Sequence, residues 1–95
     1  MDTTRYGLPT RTSPESLGCR WSCVVPYGPD DVIVAGEYWM GHGCPGHFAA
    51  IYTYLDYSDH HEPDDDMEVT LISGVEFEDH GHAIEWAINK IKDMR

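Results

Sequence analysis

Several groups of residues in this 95-residue chain have types and spacings that chemistry uses. Cys19, Cys23, Cys44 and His47 follow in the order C-x3-C…C-x2-H. Thiolates and an imidazole suit tetrahedral Zn2+, and Cys44-Pro45-Gly46-His47 turns tightly enough to offer two ligands. Against zinc, Cys19 and Cys23 flank Trp21 in strand-like sequence, where four extended residues separate them by about 13 Å. Lone cysteines usually pack as small hydrophobes. Gly41, Gly43 and Gly46 spell GxGxxG, but a dinucleotide fingerprint follows a strand and opens a helix. Here Pro45 interrupts the run and a strand follows, so the glycines read as a connection. Cys44 with His42 or His47 has the types of a nucleophile and its base, with nothing to orient the base. Glu37 and Glu76 act as acid and base only in a shared cleft. No catalytic set assembles, and the chain is expected not to be an enzyme.

His60, His61, Glu62 and Asp64 to Asp66 form the densest run of potential ligands. A calcium loop needs acids at alternate positions around a central glycine. This run has neither and reads as a solvated acidic loop. His80 and His82 fall on the first turn of a C-terminal helix, where the dipole opposes a cation, so both are expected to be neutral surface residues.

Charge narrows the partners. All six basic residues lie near the ends: Arg5, Arg11, Arg20, Lys90, Lys92 and Arg95. Trp21 to Asn89 holds fourteen Asp or Glu and no Lys or Arg, within a chain of formal net charge −11. Such a body repels phosphate backbones and anionic lipid, which argues against direct nucleic-acid or membrane binding. It attracts a basic protein surface or a metal ion. No stretch reaches the roughly 18 apolar residues of a membrane helix, Met1 to Gly18 lacks an apolar signal core, and three cysteines make a poor disulfide framework. A cytoplasmic location is the expectation.

These residues must be positioned by one small domain. Residues 1–18, polar and carrying Pro9 and Pro14, read as a flexible arm, and 19–95 as a single α+β domain. Arg20 to Tyr27 alternates, with Trp21, Cys23 and Val25 on one face. Gly28-Pro29-Asp30-Asp31 is a turn, and Val32 to Met40 pairs back as a hairpin. His47 to Tyr57 is a two-sided third strand. In Glu68 to Phe77, Val69, Leu71, Val75 and Phe77 point one way. Asp79 caps a helix whose stripe is Ala83, Ile84, Ala87, Ile88 and Ile91, with Trp86 at its margin. The architecture predicted is a four-stranded antiparallel meander with one C-terminal helix across one face.

Trp21, Tyr38, Trp39, Tyr52, Tyr54, Tyr57 and Trp86 are many aromatics for this length, and Tyr or Trp ringed by acids anchor protein interfaces. In its length, acidic body, sheet plus helix, and the ending VEFEDHGHAIEWAINKI, the chain resembles small phage-encoded inhibitors of the anti-CRISPR type. That resemblance covers about the last quarter and implies inhibition by binding a host defence complex, as a mimic of nucleic-acid charge. The expected function is therefore a non-enzymatic acidic binder or inhibitor docking on a basic protein surface through Asp59, Glu62, Asp64, Asp65, Asp66, Tyr52 and Tyr54, without a cofactor. The alternative is a zinc-stabilised structural domain using Cys19, Cys23, Cys44 and His47.

Overall fold

The computed structural model describes residues 5–39, 45–56, 60–62 and 64–94. A 3-10 turn at Arg5–Gly7 leads to β1 (Arg11–Thr12) and α1 (Pro14–Gly18). The strands β2 (Cys23–Tyr27), β3 (Asp31–Trp39), β4 (Pro45–Tyr54) and β5 (Met67–Ile72) follow, then α2 (His80–Met94). All pairings are antiparallel in one sheet of order β1-β5-β4-β3-β2. The four strands anticipated from alternation form the meander β2-β3-β4-β5. The sheet has a fifth strand, β1, contributed by the segment expected to be a free arm.

Strand alternation builds two cores. On one face Ile33, Ala49 and Ile51 meet Ala83, Ala87 and Ile91 of α2, all essentially buried. The helix begins where expected: Asp79 Oδ1 accepts from the His82 backbone N–H at 2.8 Å, satisfying a donor the first turn leaves open. The apolar stripe then repeats on the helical period, with Ile84, Ile88 and Trp86 half-buried at its edges. Trp86 lies against Phe77, ring centroids 6.0 Å apart.

The opposite face, Val32, Val34, Phe48, Ala50, Tyr52 and Met67, is covered by the N-terminal segment through Leu8 and Leu17. Both leucines are wholly excluded from solvent, and each contributes about 1.5–3 kcal/mol by burial. Residues 5–18 are therefore ordered against the sheet. Pro14 opens α1 at a position whose N–H has no helical partner, after Ser13, whose hydroxyl accepts from Ser16 N. Tyr6, held at φ 60°, rests its ring on Phe48 (4.5 Å) and Tyr38 (4.8 Å). Polar composition and two prolines hid this layer, because two single leucines make no periodic signal.

Two side-chain directions differ from expectation. Trp21 lies before β2, in a bend, and packs edge-on to Phe48 on the face opposite α2. Val25 goes to the helix side. In β5 the register shifts opposite Ile51 and Tyr52, which pair with Leu71 and Val69, so Thr70 is extra. The bulge sends Val69 to the N-terminal face and Leu71 to the helix face, breaking the single alternation the sequence implied. Beyond β5 the pairing continues through Ser73, whose N donates to Ala49 O at 2.9 Å and whose hydroxyl accepts from Ala49 N at 2.8 Å.

Candidate functional site: an acidic cavity at the strand ends

The turn between β2 and β3, the end of β4 and the loop entering β5 converge at one end of the sheet. Gly28 in that turn has φ 72°, a conformation that favours glycine. The turn carries Asp30, whose carbonyl accepts from Tyr54 N at 3.0 Å. Leu55 N donates to Asp66 O at 3.2 Å, drawing the loop back to the strand it left. Within the loop Asp65 N donates to Glu62 O at 3.0 Å, and Glu62 N donates to the Asp65 carboxylate at 2.8 Å.

These contacts enclose a cavity of about 340 Å³ whose wall includes Asp56, Asp64, Asp65, Asp66, Tyr54 and His61. Among the described residues that line it, four carboxylates face one guanidinium, that of Arg11 on β1, which donates to Asp66 at 2.9 Å. Both partners are more than half exposed, so the pair adds about 0.2–1 kcal/mol and chiefly orients the wall. His61 is held more firmly. Its side chain is 8% exposed, its ring stacks parallel on Tyr54 at 3.8 Å, and Nε2 donates to Asp30 at 3.2 Å. Nδ1 lies 3.7 Å from the Asp65 carboxylate, and among the described residues nothing hydrogen-bonds to it. Burial, and then the Asp65 carboxylate, push the Tyr54 hydroxyl above its ordinary range.

Of the residues named as partner-binding, Asp64, Asp65, Asp66 and Tyr54 line this one cavity. Glu62 is exposed beside them and pairs with His60 at 2.9 Å. Asp59 lies outside the described residues. Tyr52 does not belong to the site. It is fully buried under the N-terminal segment and its hydroxyl donates to Pro9 O at 2.6 Å, because even-numbered β4 positions face that layer. Sequence reasoning missed Arg11, which belongs to a segment read as a free arm, and Asp56, which follows a strand read three residues too long.

The proposed zinc ligands fall on separate segments where they are described. Cys19 is exposed after α1, Cys23 is a half-buried free thiol on β2, and Cys44 lies outside the described residues. His47, on β4, has Nε2 3.5 Å from Glu37 and its ring edge-on to His80 at 4.7 Å. Among the described residues no three His, Cys, Asp or Glu side chains form a metal-holding group. Gly46 lies inside β4 and opens no helix, so the GxGxxG run lacks a phosphate-binding context. On the first turn of α2, the Asp79 carboxylate favours the charged form of His82. Its hydrogen bond to Asp79, at 2.9 Å, raises its pKa above 6.5, and the same contacts, led by the backbone bond, lower that of Asp79.

An antiparallel sheet layered between a C-terminal helix and an N-terminal strap, with an acidic cavity at one end, defines a small α+β domain. Residues 8–91 match the family described as nucleotide modification associated domain 4, Nmad4, and the chain belongs to that family. No curated protein and no solved structure matches the chain.

Proposed function

We propose that this chain is a non-catalytic accessory protein of nucleotide modification that docks through its acidic strand-end cavity on a basic protein surface. The observation that carries this reading is the convergence of Asp56, Asp64, Asp65 and Asp66 on one cavity where, among the described residues, Arg11 brings the single guanidinium. The family description supplies the nucleotide-modification context. A protein that works on nucleic acid presents basic surface, and an acidic partner competes for such surface or is steered onto it. Direct phosphate binding is disfavoured by the same carboxylates.

The test is association with a lysine- and arginine-rich peptide, followed by stopped-flow fluorescence from 25 to 300 mM salt, beside a DNA duplex of similar length. Fast association that slows steeply with salt, is lost in an Asp64→Asn, Asp65→Asn, Asp66→Asn triple variant, and is absent for DNA supports the reading. Peptide association indifferent to salt and to the triple substitution, or tight binding of the duplex, overturns it.

A further inference from the structure

Resting on that reading, we infer that the cavity is a guanidinium-recognition pocket, in which the acceptor pair His61 Nδ1 and Asp65 Oδ2 takes an arginine side chain of the partner. The Asp30 carboxylate only accepts hydrogen bonds, so the 3.2 Å contact assigns the proton to Nε2 of His61. In the tautomer with its proton on Nε2, Nδ1 is an acceptor 3.7 Å from Asp65 Oδ2. That separation exceeds hydrogen-bond range. Nδ1 is buried without a partner among the described residues, and the half-exposed Asp65 carboxylate, which already accepts from Glu62 N at 2.8 Å, keeps lone pairs for a donor placed between the two. A buried acceptor without a partner is costly, and this one is on a side chain only 8% exposed.

Three further features select a guanidinium over other donors. Arg11 on the same wall already pairs with Asp66 at 2.9 Å, so the cluster holds one guanidinium and leaves Asp56, Asp64 and Asp65 for another. Between Trp21 and Asn89 the chain has no Lys or Arg to supply it. The Tyr54–His61 stack gives the wall a flat π surface. A planar, weakly hydrated guanidinium uses such a surface better than a compact ammonium, and its fork reaches two acceptors at once. His61 is the specificity-determining residue: its ring is fixed by the stack and by Asp30, so its acceptor is already in place.

The experiment compares three peptides of one length, carrying arginine, lysine or neutral citrulline at the same positions, by calorimetry on the full chain at 50 mM salt. The arginine peptide is expected to bind at least fivefold tighter than the lysine peptide, and the citrulline peptide not detectably. Asp65→Asn and His61→Phe, the latter keeping a ring against Tyr54, should each weaken arginine binding about tenfold and bring it level with lysine. Thermal melts confirm that both variants fold. If either variant does not, Asp64→Asn serves in its place, with a smaller loss of arginine selectivity expected. Equal binding of arginine and lysine peptides, unchanged in the variants, overturns the pocket while leaving acidic docking intact. Failure of both peptides overturns docking itself. A zinc titration completes the test: zinc that binds stoichiometrically and expels the arginine peptide in wild type but not in His61→Phe would reassign the acceptor pair to a metal.

Discussion

The Tyr52 hydroxyl donates to the Pro9 carbonyl at 2.6 Å, joining the middle of the sheet to a segment 43 residues earlier. Burial pushes the Tyr52 pKa up to about 12, with Arg20 pulling slightly the other way. Tyr52→Phe keeps the ring and leaves the carbonyl without this donor, so stability should fall by about 1 kcal/mol at neutral pH. A folded pKa above the unfolded value of 10 adds stability present below pH 10 and lost as pH climbs towards 12. Urea melts between pH 9.5 and 11.5 should therefore fall more steeply for wild type than for the variant. Parallel curves would show that another group governs the alkaline limb.

Leu17 is the anchor of α1 under the sheet. Leu17→Ala should cost about 2–5 kcal/mol, as for other buried leucines, whereas the exposed Glu15→Ala on the same helix should stay within about 0.5 kcal/mol. Deleting residues 1–12 should also lower the melting temperature, since it removes β1 and Leu8. A truncated protein that melts with the full chain would restore the free-arm picture.

The Asp79–His82 pair sets a pH window at the start of α2. Asp79, lowered from 3.8, contributes stability present above that value and lost as pH falls through its folded value. His82, raised from 6.5, contributes stability fully present below 6.5 and lost as pH rises through its folded value. The pair is therefore most favourable between pH 4 and 6.5. His82→Gln should keep the backbone cap but remove the decline from pH 6 to pH 8, while Asp79→Ala should remove both limbs and lower the melting temperature throughout. Chemical shifts of the His82 ring follow the titration directly. A His82 midpoint at or below 6.5 would falsify the assignment.

Two glycines separate packing from backbone freedom. A Cβ on Gly46 would lie against the Val75 carbonyl and 2.8 Å from Val75 Cβ, so Gly46→Ala should cost about 1–3 kcal/mol through overpacking. Gly18 has nothing within 4 Å and no positive φ, and Gly18→Ala should be neutral or stabilise by up to about 1 kcal/mol. Guanidinium denaturation of both variants reads the contrast, and equal effects would refute it.

The meander and α2 were legible because their residues repeat at the strand and helix periods. Val32 to Val34, Phe48 to Tyr52 and Ala83 to Ile91 declare their faces without tertiary help. β1 and α1 were not legible, since Leu8 and Leu17 find their partners across the fold and not along the chain. The bulge at Thr70 was hidden for a related reason. Val69 and Leu71 are apolar alike, and only the pairing with Ile51 and Tyr52 sends them to opposite faces. At the site, Asp64 to Asp66 and Tyr54 could be read from composition, but Arg11 and the Asp30 contact that fixes His61 depend on long-range geometry.

Strands β2 to β5 each pair with the next strand in the chain, so they can zip by local closures. β1 must wait for a partner more than 50 residues downstream, as the 55-residue separation of Arg11 and Asp66 shows. During synthesis β1 emerges before β5 and cannot pair until β5 has followed it, and that long loop closes against a larger entropy than the local hairpins. Until β5 has been made, β1 has no strand to pair with, and the part of the cover that Leu8 gives to Val34, Phe48 and Ala50 is not pinned. The nascent chain therefore carries an apolar sheet face with its own lid tethered beside it, and the interval before that lid seats is when chaperones or self-association compete for it.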